Sequence, residues 1–235
     1  MTLSTAEALA RIQEIGRPVL SLDACVVLDA AREPTRKKYT ANHVSAVLEI
    51  VARAEAAPPE LVLLVSETAF NEVLEHLDQL ETECGAALQT LDLSVERVAG
   101  IFKALGLPVD APKRLSDLGY PAAARALAER LLRLTNVVED EEACKVRAMD
   151  RVRGSVAPAR RGKEAAKDCL IVETNLQIVQ RLRAAGFGQK VVFLTSNTAD
   201  FCSGGGRNLH EDLAPQFQAV DLEFASDWTA ARYAI

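Results

Sequence analysis

Four positions far apart in the sequence each place a carboxylate, or its amide, beside an apolar run of strand length. Asp23 follows VLSL (19–22), and Glu72 stands six residues after Ser66, the polar residue closing the apolar run 61–65. Asp168 lies early in a helical pattern, with apolar Ala165, Ile171 and Val172 at i−3, i+3 and i+4. Asn197 and Asp200 follow VVFLT (191–195) in a polar loop that opens with Thr195 and Ser196. In open α/β sheets ligands bind beyond the carboxyl ends of the strands, so these acids stand where chemistry is expected. Oxygen donors of this kind suit a hard cation such as Mg²⁺ or Mn²⁺. An unpaired carboxylate on a buried stripe costs several kcal/mol. For Asp168 a divalent cation offsets that cost, and so does a buried Arg or Lys. Asp23 also suits a plain helix N-cap, and Glu67, in a first helical turn, needs no function beyond the helix dipole. His43, His76 and His210 have no zinc-hydrolase spacing.

Strands and helices must alternate for these acids to meet. Ser4 and Glu7 have capping-box spacing ahead of a helix ending at Gly16. Asn42 is positioned to cap a second helix that stops before Pro58, and Ser66 to cap a third carrying Phe70, Val73, Leu77 and Leu80 on one face. Residues 163–185 read as another helix, and 219–224 as a last strand. Strands apolar on both faces, alternating with helices, imply an α/β fold with a central parallel sheet flanked by helices. Between about 85 and 160 the pattern is helical and broken by GlyLeuPro and GlyTyrPro, with no strand; it reads as a helical insertion in a single domain spanning 1–235.

The 235 residues are 49% hydrophobic, enough for an ordinary core, and their composition excludes collagen-like, disordered and small disulfide-rich classes. Five scattered cysteines without a C-x-x-C pair argue against a disulfide framework or zinc ribbon and for a reducing compartment. No leader-like N-terminus and no membrane-length apolar run is found, so a cytoplasmic protein without membrane association is expected. The chain carries a formal net charge of −6, so a polyanion needs a local basic patch. Residues 144–167 supply one: eight Lys or Arg, among them Arg161, Lys163 and Lys167, against two acids leave +6 there and −12 elsewhere. Arg32, Arg36, Lys37 and Lys38 form a second, smaller cluster. Either set equally suits a solvated face balancing the acids at 139–142.

Taken together, LSLDACVVLD (20–29), SETAFNEV (66–73), KDCLIVE (167–173) and FLTSNTADF (193–201) resemble the motifs of PIN domains, α/β nuclease modules of prokaryotic toxins and RNA-processing proteins. The likeness covers about 19–80 and 160–225, and the helical insertion resembles a larger PIN-like subgroup. It implies a divalent-metal-dependent endoribonuclease acting on single-stranded RNA. Asp23, Glu72, Asp168 and Asp200 would hold Mg²⁺ or Mn²⁺, with Asn197 completing the catalytic set where many relatives carry Asp. Thr195, Ser196, Arg161, Lys163 and Lys167 would contact the substrate. An antitoxin or other protein partner and a homodimer stay open. Two other readings also remain. One is a degenerate PIN-like module that binds RNA or protein without catalysis. The other is a haloacid-dehalogenase-like phosphatase, which wants a second acid where this chain has Cys25. Cys25 and Cys169 read as small core residues.

Overall fold

The computed structural model describes residues 2–37, 39–159, 165–203, 206 and 208–235. Arg161 and Lys163, together with Lys38 and Arg160, lie outside the described residues. The chain folds as α/β around a five-stranded, all-parallel sheet ordered β3-β2-β1-β4-β5, with β1 (Val19–Leu22), β2 (Val62–Ser66), β3 (Thr135–Val138), β4 (Val191–Leu194) and β5 (Glu223–Ala225). β1, β2 and β4 are buried at every residue, as strands covered on both faces must be.

The order contains one reversal. From β1 the chain steps outward to β2 and β3, then returns to the other side of β1 as β4 and continues to β5. Connections after β1 and β4 therefore diverge, and a crevice opens between the carboxyl ends of those two strands. Their register is in step, Val19 beside Val191 through Leu22 beside Leu194, so Asp23 and Thr195 emerge at the same level.

Helix starts follow local chemistry. Ser4 and Glu7 form the expected capping box ahead of α1 (Thr5–Ile15), and Gly16 ends it at φ 62°. The Ser66 hydroxyl accepts the Ala69 N–H at the start of α4 (Glu67–Ala104). α3 (Ala41–Glu55) starts from extended Thr40 rather than at Asn42, which falls inside the first turn.

Two expectations for the middle of the chain are corrected. α4 does not stop near residue 85; it runs unbroken for 38 residues through Gly85, whose helix-interior penalty of about 1 kcal/mol is small beside its packing. The interval 85–160 also contains a sheet strand, β3, between α5 (Tyr120–Leu134) and α6 (Glu142–Gly154). No Gly or Pro separates β3 from α5, so only tertiary pairing distinguishes it: Leu63 to Ser66 lie alongside, and Asn136 Nδ2 donates to Leu63 O. Leu3 then covers the outer edge of β3, its N–H donating to Val137 O at 2.8 Å. The last strand is β5, preceded by α9 (Ala214–Ala219), so residue 219 ends a helix.

α7 (Ala166–Ala184) packs closely on α6 through buried Glu173, whose carboxylate takes Arg147 Nε at 2.6 Å and Arg151 Nε. Arg151 also donates to Ala157 O and Gln216 Oε1. Two of the cations expected in the basic patch are thus structural. On the sheet side the Ser21 hydroxyl donates to Asn175 Oδ1, fixing α7 against β1.

Asp140, just past β3, ties together the helices that carry Glu72 and Asp168. It is buried, and accepts the Thr68 N–H (2.8 Å) and hydroxyl (2.7 Å) from α4 and the Thr174 hydroxyl (2.6 Å) from α7. Asp140→Ala should lower the unfolding free energy by about 2–3 kcal/mol, because three donors lose a charged acceptor, while Asp140→Asn should cost less; urea denaturation at fixed pH measures both.

Candidate functional site

Asp23 ends β1 and caps α2 (Ala24–Asp29), its Oδ1 accepting the Ala24 N–H at 2.7 Å. The N-cap reading is therefore correct, but it accounts for one oxygen only. Oδ2 accepts the Thr195 hydroxyl at 2.6 Å, and Cys25 Sγ lies 3.2 Å from it. The side chain is buried, and no basic group of the described residues counters its charge. Burial raises its pKa above the ordinary carboxylate value, with the hydrogen bonds from Thr195, Cys25 and Ala24 pulling the other way.

A polar relay crosses the crevice from this carboxylate. Thr195 Oγ1 accepts the Asn197 N–H at 3.1 Å, and Asn197 Nδ2 donates to Asp168 Oδ2 at 3.3 Å. The loop after β4 thus connects Asp23, at the end of β1, to Asp168, in the first turn of α7. Asp200 stands outside this relay, buried in the short helix α8 (Thr198–Phe201) with its N–H on Asn197 O.

Glu72 approaches from α4. Partial burial and the nearby negative charge of Asp23 raise its pKa, while Lys167 and His76 oppose the shift. Asp23, Glu72, Asp168 and Asn197 are thus brought to one end of the sheet. They converge without closing: among the described residues no three His, Cys, Asp or Glu side chains stand in an arrangement that could hold a metal ion. The donor chemistry nonetheless suits a hard cation, since the two upward shifts, from burial at Asp23 and from burial and the charge of Asp23 at Glu72, are of the kind a divalent charge would reverse.

Cys25 packs against the core as expected, and its thiol also reaches the site: half-buried, its Sγ lies 3.3 Å from Thr195 Oγ1 and accepts the Ser196 N–H at 3.2 Å. Burial and the charge of Asp23 push its thiol pKa well above the usual value, so it is a packed thiol rather than a nucleophile. Its place two residues after the strand-end acid was the available signal. Cys169 is fully buried, as expected.

A trough runs across the site. A cleft of about 350 Å³ between α4, α6 and α7 is lined by Glu72, Lys145 and Lys167. Glu72 also lines the next, of about 290 Å³, with Cys25 and Arg32. Cys25 and Arg32 open onto a third, of about 570 Å³, that continues past Arg36, Lys37, Ser196 and Asn197. Cations therefore flank the acids on both sides. Those with partners hold them at the surface: Lys167 with Glu75 (3.3 Å), Lys145 with Glu142 (3.6 Å), Arg32 with Asp29 (2.7 Å) and Arg36 with Glu33 (3.0 Å). The exposed lysine pairs are worth little and exchange readily for another anion, whereas Arg32 and Asp29 are half-buried against each other.

No protein-family model matches the chain, and no curated protein and no solved structure matches it. Among the described residues no helix is long and apolar enough to cross a membrane.

With its pKa raised in the fold, Asp23 disfavours the folded state as pH rises from the ordinary carboxylate range through the elevated value. Asp23→Asn removes the charge and keeps one acceptor, its amide oxygen, for the Ala24 N–H, while its NH₂ donates to the Thr195 hydroxyl oxygen in place of the present bond. In EDTA at pH 7 it should therefore melt higher than the wild type, by about 2–4 °C for each kcal/mol relieved. Saturating Mg²⁺ or Mn²⁺ should raise the melting temperature of the wild type only; an equal rise in both proteins would remove Asp23 from any ion site.

Proposed function

We propose that this chain is a divalent-metal-dependent endoribonuclease of the PIN class, hydrolysing phosphodiester bonds of single-stranded RNA. The observation that carries the reading is the buried Asp23 at the sheet's reversal point, paired with no cation among the described residues, linked through Thr195 and Asn197 to Asp168 and electrostatically coupled to Glu72. The strand order, with the first acid at the central strand and the amide-bearing loop beside it, supports it, as do the four motifs. All five cysteines are unpaired, which favours a cytoplasmic setting.

Asp23, Glu72 and Asp168 would hold Mg²⁺ or Mn²⁺. A divalent ion at such a site supplies an activated water and neutralises charge on the reacting phosphate and leaving oxygen. The rest falls to the chain's own groups. Thr195 fixes the rotamer of Asp23 by donating to Oδ2, and Asn197 orients Asp168 through its amide. Cys25 packs its Sγ against both Asp23 Oδ2 and Thr195 Oγ1 and so helps to hold that pair in place. Lys145 and Lys167 on one side, and Arg32, Arg36 and Lys37 on the other, take the phosphates of a strand laid along the trough. Contacts of this kind read the backbone and shape rather than the bases.

A second reading, a non-catalytic RNA-binding module, is favoured by one feature: the fourth position is the neutral Asn197, already engaged with Asp168. A cleavage assay on mixed-sequence single-stranded RNA with Mn²⁺ separates the two. Asp23→Asn and Asp168→Asn should each slow cleavage by about 10²-fold or more while still binding RNA. Binding with no cleavage by the wild type would select the second reading. Lys145→Ala with Lys167→Ala should reduce the slope of log affinity against log salt by about 1.4, at about 0.7 per phosphate contact on a single strand. An unchanged slope would place the RNA elsewhere.

A further inference from the structure

The second half of α4 leaves the body of the protein. Along the helix Cys84, Leu88, Leu91, Val95, Val98, Phe102 and Leu105 recur at alternating steps of four and three, the seam spacing of a coiled coil. Cys84 and Leu88 are buried against the protein's own elements, whereas Val95, Val98, Phe102 and Leu105 are exposed. The returning segment lies alongside without covering them, and leaves a groove of about 500 Å³ between Val95, Val98 and Phe102 on the helix and Val109 and Pro112 opposite.

Residues 93–118 hold ten large apolar side chains that are 39–72% exposed. Summed over every face of the arm this is something on the order of 900 Å² of surface, of which the four exposed seam residues supply less than half, the size of an ordinary functional patch and of one side of a small interface. The charges of this arm select against a charged partner. Over 92–118, Asp92, Glu96, Asp110 and Asp117 balance Arg97, Lys103, Lys113 and Arg114, so the arm is neutral on a chain of −6. Flanking the seam stand Ser94, Ala99 and Ile101, which carry no charge and, for the first two, little bulk.

We infer that this arm is a homodimer interface, the seam of one copy lying antiparallel on the seam of a second in the groove beside it. Two identical neutral surfaces approach without the repulsion that the rest of the chain would impose. The antiparallel sense follows from the fold: the seam is covered through Leu88, so seam-to-seam contact in parallel would drive the two bodies together, while opposed arms overlap only beyond them. A two-fold axis at the level of Gly100 sets Val95 beside Leu105 and Val98 beside Phe102 of the second copy, an isologous contact. Every residue of this interface lies outside the trough, so the inference does not rest on the proposed nuclease activity.

Sedimentation velocity of the full chain between about 1 and 100 μM tests this, an affinity in the tens of micromolar being expected of a small interface. The expected result is twice the monomer mass of 25.4 kDa for the wild type, and a monomer for Val98→Glu with Phe102→Glu. Because both side chains are exposed in the single chain, the variant should keep the wild-type circular dichroism spectrum and refold after urea. A wild type that stays monomeric at 100 μM overturns the inference, whether or not it floats with lipid vesicles or binds RNA. So does a folded variant that remains dimeric.

Discussion

A carboxylate buried with only neutral donors around it is the constraint from which the rest of this structure follows. Asp23 cannot leave its position, because it terminates the central strand and starts the next helix. It is held by a backbone N–H and a threonine hydroxyl, which soften the cost of burial without supplying positive charge. In a low-dielectric setting that imbalance is costly, and it is placed where a reversal of strand order opens the sheet to a ligand. Nearby Glu72 deepens the imbalance instead of relieving it. A core designed for stability alone would put an amide or an arginine there.

The scaffold around this point is correspondingly stiff. Asp140 binds the first turn of α4 to the middle of α7, Ser21 and Asn175 hold α7 on β1, and Glu173 with Arg147 and Arg151 locks α6 to α7. Of the side chains in these contacts, Thr68 lines the trough. Together the contacts fix the backbone origin of Glu72 and Asp168, whose side chains are half-buried, that of Asp168 accepting from Asn197 Nδ2.

Much of this was legible in the sequence, and the reasons are local. β1, β2 and β4 announce themselves because strands buried on both faces are apolar without interruption, and Ser4 and Ser66 cap their helices with side chains that chemistry selects for that role. Asp23, Glu72, Asp168 and Asn197 were placed together because each sits at a fixed offset from such an element. What stayed hidden depends on tertiary pairing. β3 is four residues fused to a helix and becomes a strand only beside Leu63 to Ser66. The pattern change near residue 85 reads as the start of an insertion, yet α4 runs through it, with buried Cys84 and Leu88 packed on either side. Arg147 and Arg151 look like a substrate-binding patch and instead grip Glu173, a buried acid whose helical position gave no warning of two arginines arriving from another helix. Cys25 packs on the core as its residue type suggested, but that its thiol also faces Asp23 and Thr195 depends on β1 and β4 lying side by side.

The claim beneath all of this is that Asp23, Glu72 and Asp168 share one divalent ion. Anomalous diffraction from crystals soaked in Mn²⁺ examines it most directly. The account predicts an anomalous peak with a carboxylate oxygen from each of the three at about 2.0–2.3 Å, the range of hard cations with oxygen ligands. A saturating soak that leaves no peak between them, or one that shows the three acids held separately by lysine or arginine, would contradict it.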